Sequence, residues 1–590
     1  MCGIIGVVRK SGNAAEEVFQ GLLRLEYRGY DSAGMSALDG GKIRTVKRGG
    51  RVSNLMPEAE RLKGSTAIGH TRWATHGEPN DTNAHPHCSG KFSVVHNGII
   101  ENYRQLKEEL SDGGATFASD TDSEVIVKLI DFYYQGDALK AVARAAARLQ
   151  GSFALGVLCA DREGIIAVKY KSPAVVGFDG NGAVLCSDIP ALPASVTSVC
   201  VPEDGDIAEI TAETVTFYDS KLTPVNRVRR PIFPEQFTLG QGGYPHYMIK
   251  EIHEAERTVA ETCGGFFRNV DVKRLTEYVR GADRIIITGC GTAYNAGLAA
   301  KSYFTEKCGV FCQVEIASEL RYSPPKVTPA TLVIAVTQSG ETADTVEAVS
   351  ALKRAGARVV AVTNCGYSQI TRVAHLVVPV CAGAEVCVAA TKSYIGQLAA
   401  LYLMAKLTED LFTAQEELTR AGAGIGELLK GEANAEEIAR QCAKSSAVFF
   451  LGRGLDYAVA VEASLKLKEV SYVFSDGYPA GELKHGTLAL IDENTLSVVV
   501  ICNPALAEKC CNAVSQIISR RGKVAVITCL ADVAEKLKDS AAVWLLPQCP
   551  AVLSPFVSAV ALQLVAYKTA VLLGRDPDKP RNLAKSVTVE

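Results

Sequence analysis

The sequence contains no C-x-x-C pair, although 18 of its 590 residues are cysteine. The thiols are scattered and include the vicinal pair Cys510-Cys511. They suggest neither a disulfide framework nor a zinc spacing, so a reducing cytoplasm is expected. An excess of one charge is also missing. A formal net charge of −3 gives no electrostatic footprint for nucleic acid or an anionic membrane surface. The first residues lack a basic segment followed by a long apolar run, so no secretory signal is expected. A Walker lysine motif and a full G-x-G-x-x-G are absent too, which points away from a nucleotide cofactor. Only Pro555 to Gly574 is apolar enough to raise the question of a membrane span. Gln563, Tyr567 and Lys568 lie inside it, so a helix packed in a protein core is the expectation.

What is present is patterned in two styles. Residues 1 to about 220 alternate short strands with Gly/Asn/Asp turns, as at Ile4–Val8, Phe92–Val95, Ser152–Cys159 and Gly164–Lys169. Helices are predicted near Glu101–Leu110 and Ser123–Phe132, which suggests stacked sheets flanked by helices. Leu222 to Tyr247, rich in Pro, Gly and Arg, reads as a linker. Beyond it, apolar strands run through glycine turns into helices: Arg284–Gly291 into a helix near Tyr294–Thr305, and Thr331–Val336 into one near Thr342–Ala355, with Arg358–Val362 as a third strand. This alternation predicts a parallel sheet. It also occurs twice. A shift of 163 residues carries Gly289, Gly291, Tyr294, Glu319 and Leu320 onto Gly452, Gly454, Tyr457, Glu482 and Leu483, and with a slip of one Thr331-Leu332 falls on Thr495-Leu496. An internal duplication follows. The expected division is 1–221, a linker 222–247, two α/β subdomains at 248–425 and 426–574, and a tail 575–590.

Two places carry chemistry. Removal of Met1 would leave Cys2 with a thiol and a free α-amine, and an amine titrating near about 7.7–8.0 can accept the thiol proton without a histidine partner. By position alone Cys2 reads first as one small buried hydrophobe among many. Thr337-Gln-Ser-Gly-Glu-Thr342 follows a strand and opens a helix, so its amides and its Thr337, Ser339 and Thr342 hydroxyls can cradle a phosphate dianion. Plain helix capping is the alternative. The matching Cys502-Asn-Pro-Ala-Leu lacks these hydroxyls, so one phosphate site per chain is expected. His70, His76, His85, His87 and His96 crowd into 27 residues, but no Cys or carboxylate partners stand at zinc spacing, and no metal is expected.

Longer motifs add a resemblance. Cys2-Gly3-Ile4, Leu25–Gly34 (LEYRGYDSAG), His70–Gly77 (HTRWATHG), Val95-His-Asn-Gly98 and Thr121-Asp-Ser-Glu124 resemble the N-terminal-nucleophile (Ntn) glutaminases of class II amidotransferases. Gln338–Thr342, Gly481–Gly486 (GELKHG) and Asn582–Glu590 (NLAKSVTVE) resemble tandem sugar isomerase (SIS) modules. Together they resemble the isomerising glutamine–fructose-6-phosphate aminotransferases over essentially the whole chain. The fold implied is multidomain α/β: an αββα Ntn-hydrolase glutaminase followed by two doubly wound parallel-sheet SIS subdomains.

The resemblance also implies roles. Cys2 would attack the glutamine amide, and Asn97 with the Gly98 N–H, on an expected tight turn, would form the oxyanion hole. Arg72 would clamp the glutamine carboxylate and Asp122 its ammonium, with Trp73, Thr75, His76 and His85 also lining the glutamine site. On the sugar side Lys585 would form a Schiff base, His485 open the ring and Glu469 move a proton between C1 and C2. Lys466, three residues before Glu469 on one helical face, could hold that carboxylate ionised. Thr292, Thr337, Gln338, Ser339, Thr342, Val388 and Ala584 would contact the sugar phosphate. Ala293, Thr337 and Ala390 stand where family members often have serine, which touches individual sugar contacts. The partners implied are glutamine and fructose 6-phosphate, with no organic cofactor, no nucleic acid, no membrane and a homodimer. Ammonia would pass between the sites by a closed route walled by Trp73 and the tail.

Overall fold

The computed structural model describes residues 2–74, 76–232 and 240–588, so Met1, Thr75, residues 233–239 of the linker and the last two residues of the tail lie outside the described residues. The chain divides into two compact units, Met1–Leu239 together with Ala584–Glu590, and Gly240–Leu583.

The N-terminal unit contains two sheets. Among the described residues the first has eight strands in the order Arg229–Pro231, Ser198–Cys200, Val175–Asp179, Gly182–Cys186, Gly3–Arg9, Thr66–Arg72, Ser32–Asp39 and Lys42–Gly49. The second has seven, in the order Pro224–Val225, Val215–Tyr218, Ile207–Ile210, Arg162–Tyr170, Gly151–Cys159, Phe92–Ile100 and His87–Ser89. The two-residue period of a strand sends alternate side chains to opposite faces. Ile4, Val8, Ile68 and Leu185 of the first sheet therefore meet Val95, Ala154, Ile165 and Ala208 of the second in a core between the sheets. Phe92, Val94, Leu155 and Val157 point the other way, against Leu106, Val125, Ile130 and Ala141 of the helices Tyr103–Asp112, Glu124–Tyr133 and Ala138–Ala146. On the outer face of the first sheet lies the helix Ala14–Leu25, started by Asn13, whose side chain accepts from the Ala15 N–H at 3.3 Å. The result is the expected αββα layering. Part of the stretch read as linker, Pro224–Val225 and Arg229–Pro231, adds edge strands to these sheets.

The C-terminal unit repeats one motif. Its two five-stranded parallel sheets run Phe311–Ile316, Arg284–Gly289, Thr331–Thr337, Arg358–Thr363, Leu376–Pro379 and Ser475–Pro479, Ala447–Gly452, Thr495–Val500, Lys523–Thr528, Ala542–Leu545. The order is the same in both. In each, the first strand is followed by a 17-residue helix, Thr292–Cys308 or Leu455–Ser471. Each helix is entered through a glycine with φ and ψ of 54° and −127° at Gly291, and 59° and −125° at Gly454. No L-residue basin contains that combination, so both turns require glycine. The long apolar helix Ser554–Leu572 is central to the shared core, and 83% of its most apolar window is buried.

The turn into the second helix is also crowded, since a Cβ at Gly452 would lie 2.3 Å from the backbone C and O of Asp456. Gly452→Ala, through that clash, and Gly454→Ala, through its backbone angles, should each destabilise the C-terminal unit by about 1–3 kcal/mol. The fluorescence of buried Trp544 during urea unfolding reads this, and an unchanged midpoint in either variant contradicts it.

Candidate active sites

In the N-terminal unit Cys2 precedes the central strand Gly3–Arg9, and Trp73 follows the neighbouring antiparallel strand Thr66–Arg72. The pairing brings the Trp73 N–H to 3.3 Å from the Cys2 sulfur. The Cys2 carbonyl accepts from Asn97 Nδ2 at 2.9 Å and Arg28 Nε at 3.3 Å. Burial pushes the Cys2 thiol up, while the N-terminal charge, the Trp73 amide and the Arg72 charge pull it down less strongly. The expected tight turn at Asn97-Gly98 is not found. The strand Phe92–Ile100 continues through both residues, which pair with Ala154 and Phe153. Gly98 absorbs the irregularity at φ 139°, where a Cβ would sit 1.9 Å from the Ser152 carbonyl oxygen.

Arg72 donates to the carbonyls of His76, Gly77 at 3.1 Å and Glu78 at 3.3 Å, and so holds the loop after Trp73. Asp122 accepts from the Ile100 N–H at 2.8 Å. His76 lies edge-on to Tyr103. His85 stacks on His70 at 4.0 Å, with His87 and His96 beyond it. One ring nitrogen of each of three meets a protein group: His70 Nε2 the His96 carbonyl at 2.8 Å, His96 Nδ1 the Ser123 hydroxyl at 2.8 Å, and His87 Nε2 the Thr121 hydroxyl at 3.1 Å, while His70 Nδ1 and His96 Nε2 are buried without a hydrogen-bond partner. Burial depresses all four imidazoles, His70 to about 3. They are neutral in the fold.

In the C-terminal unit the strands Arg284–Gly289 and Thr331–Thr337 are parallel neighbours where the strand order reverses, the crevice that favours a ligand in such sheets. Thr292 starts the helix above one strand end, and Thr337–Thr342 leaves the other. Gly340, with φ 69°, folds that loop back so that its N–H meets Thr337 Oγ1 at 3.2 Å, while the Glu341 N–H meets Ser339 Oγ at 3.2 Å. Gln338 contributes its carbonyl to the Asn364 N–H at 3.2 Å. Thr292 Oγ1 donates to Glu462 at 3.0 Å and accepts from Lys466 Nζ at 2.9 Å. Lys466 Nζ also lies 2.6 Å from Glu469, so the predicted pair forms on the helix Leu455–Ser471. Burial opposes the Lys466 charge, but Glu469 and Glu462 outweigh it and raise its pKa. Burial raises Glu462 to about 7. Val388 donates its N–H to the Asp578 carbonyl at 3.1 Å. His485 is exposed at the end of the turn Glu482–His485, and Ala584 and Lys585 belong to the segment grouped with the N-terminal unit.

Several contributors escaped the sequence reading. Asp188 accepts from Tyr27 and Arg28, each at 2.6 Å, and so braces the arginine that holds the Cys2 carbonyl. Asp31 accepts from the Ala74 N–H at 2.9 Å and fixes the far side of Trp73. Tyr27, Arg28 and Asp31 lay within the Leu25–Gly34 motif, which marked them without giving roles. Glu462 was signalled only by its four-residue spacing from Lys466, and nothing in the sequence points to Asp188.

Residues 70–194 match the glutamine amidotransferase domain family, and residues 278–407 and 441–573 each match the SIS domain family. The chain is 40% identical over 613 residues to the "Glutamine--fructose-6-phosphate aminotransferase [isomerizing]" of Clostridium perfringens, and 42% identical over 618 residues to that of Symbiobacterium thermophilum. Each match covers 100% of both chains. Among solved structures, the C-terminal domain of glucosamine-fructose-6-phosphate aminotransferase from Francisella tularensis is 35% identical with a TM-score of 0.55, covering 58% of this chain and 100% of its own.

The neutral histidines have a consequence for stability. Once unfolded they protonate below about 6.5, so the unfolded state binds more protons than the native state and stability falls as pH drops from there toward about 3. Each imidazole that stays neutral should cost about 2 kcal/mol between pH 7 and pH 5. In a Trp544→Phe protein only Trp73 of the two tryptophans remains to report on this unit. Its urea midpoint should fall across that window, and a flat midpoint contradicts the assignment.

Proposed function

The chain belongs to the family of isomerising glutamine–fructose-6-phosphate aminotransferases, and on that premise we propose how its own residues divide the reaction. The enzyme takes nitrogen from glutamine, transfers it to fructose 6-phosphate and isomerises the product to glucosamine 6-phosphate, releasing glutamate. After loss of Met1, the Cys2 α-amine takes the thiol proton and the sulfur attacks the glutamine amide carbon. Asn97 Nδ2 turns from the Cys2 carbonyl to the developing oxyanion, joined by the Gly98 N–H. The C–N bond breaks, ammonia leaves with the proton, and water hydrolyses the thioester to glutamate. Arg72 exchanges loop carbonyls for the substrate carboxylate, and Asp122 receives its ammonium. Trp73, Thr75, His76 and His85 complete this pocket.

On the sugar, Thr337, Gln338, Ser339 and Thr342 take the phosphate, with Thr292, Val388 and Ala584 against the rest of the molecule. His485 opens the ring, Lys585 condenses with the C2 carbonyl with loss of water, ammonia displaces the lysine, and Glu469 carries a proton between C1 and C2 with Lys466 paired beside it. Ammonia passes inside the protein. The reading rests chiefly on one observation: the reactive groups of both half-reactions, Cys2 and the Lys466–Glu469 pair, stand on one chain that this family matches end to end. We also propose a cytoplasmic homodimer, a location supported by the 18 cysteines, none of which is in a disulfide.

Cys2→Ala should lower glutamine hydrolysis by about 10³-fold or more and abolish glutamine-dependent synthesis of glucosamine 6-phosphate. Removing the chain from Leu583 onward should abolish synthesis while leaving some glutamine hydrolysis. Glutamate and amino-sugar assays on the full chain check both, and synthesis that survives the truncation contradicts the role of Lys585.

A further inference from the structure

The duplication equips the two repeats differently at the same place. In the first, Ala293 follows Thr292 at the start of the helix, and the loop beginning at Thr337 leaves the neighbouring strand end. The 163-residue shift carries Ala293 onto Asp456, and the slip of one carries Gln338 and Ser339 onto Cys502 and Asn503. The second repeat joins these positions with its own atoms: Asp456 Oδ2 accepts from the Cys502 N–H at 2.9 Å and the Asn503 N–H at 3.3 Å. The carboxylate thus stands between the strand ends of Ala447–Gly452 and Thr495–Val500, where the strand order of this sheet reverses. Asp456 is 1% exposed, and its Oδ1 has no hydrogen-bond partner. Burial lifts its carboxyl to about 7 against the pull of the two amides. An acidic residue with one oxygen unsatisfied is a costly way to fill a core position.

We infer that Asp456 is an internal stand-in for an anionic ligand: its carboxylate closes a backbone cradle that corresponds to the sugar-phosphate loop of the first repeat, and removing it opens a site for a small oxyanion. The correspondence with the phosphate loop rests on the function proposed above; the cradle itself does not. Closure has a use. Asp456 sits in the first turn of the helix Leu455–Ser471, where negative charge is favoured, and the same helix carries Glu462, Lys466 and Glu469. The bond from its first turn to the loop at Cys502 fixes that helix to the sheet. The first repeat keeps its cradle open, and the second locks its cradle to hold the reactive groups in place.

The test uses the full chain. Asp456→Ala gives the second repeat the residue of the first and leaves two amides facing a carboxylate-sized void. Its urea midpoint, read from Trp544, should drop and then rise with sodium formate relative to sodium chloride of equal ionic strength, as a ligand that binds only the native state requires. Asp456→Asn, whose amide oxygen still accepts from both N–H groups, should respond to neither salt. If Asp456→Ala does not fold without anions, refolding in formate is the same test. Recovery of folded protein there supports the inference, and failure in formate while Asp456→Asn folds overturns it. An Asp456→Ala midpoint equal to that of the unaltered protein, or equal responses to formate and chloride, also overturns it. Ser339→Ala tests the first repeat's phosphate contact through the KM for fructose 6-phosphate, so the two ideas fail separately.

Discussion

The hydrogen bond from the Trp73 amide to the Cys2 sulfur is the constraint on which the N-terminal unit's chemistry depends. Burial alone raises the thiol pKa and leaves it a poor nucleophile. The charge of the chain's N-terminus and then this amide pull the other way without cancelling burial, and the amide does so only if the peptide it belongs to cannot drift. Two adjacent strands therefore deliver the partners, Gly3 pairing with Thr71 so that Cys2 and Trp73 emerge side by side. Gly29 lets the chain approach the Arg72–Trp73 peptide, to which a Cβ there would come within 2.6 Å. Asp31 grips both sides of that peptide, giving its N–H to the Arg72 carbonyl and its carboxylate to the Ala74 N–H. The backbone of Cys2 is held just as firmly by Asn97 and by Arg28, itself braced on Asp188.

The C-terminal unit answers a different need, because a sugar phosphate presents a dianion at one end and reacting carbons at the other. A single α/β repeat offers one crevice where its strand order reverses. Two copies allow the tasks to be split. The first copy's loop places hydroxyls and amides around Gly340, while the second copy's helix brings Glu462 and Lys466 to Thr292 of the first, with Glu469 beside Lys466. Thr292 is the hinge of this arrangement, since it donates to Glu462 and accepts from Lys466.

Much of this was legible in the sequence, for identifiable reasons. Strand and helix positions in the parallel sheets followed from unbroken apolar runs ending in glycine, and Thr331–Val336 differs from the observed Thr331–Thr337 by one residue. The duplication was readable because turn glycines tolerate no substitute. The Lys466–Glu469 pair followed from helical spacing once the resemblance had singled out Glu469. What failed to show was whatever depended on contacts between distant segments. Asn97-Gly98 resembles a turn by composition, but pairing with Ala154 and Phe153 keeps it in a strand. Asp188 lies 160 residues from Arg28, so no local pattern could announce it. Asp456 drew no notice in the sequence, because the Cys502 and Asn503 amides that meet it lie 46 and 47 residues away. The histidine-rich stretch lacked ligand spacing for a metal, but that it stacks His70 on His85 in a buried layer was not readable from the sequence.

The most direct measurement is mass spectrometry of the N-terminal peptide from active protein, quenched in acid during turnover with glutamine. A peptide that begins at Cys2 and carries a glutamyl thioester on that sulfur is the predicted result. Fully active protein whose peptide still begins with Met1, or whose glutamyl group sits on another residue, would contradict the account.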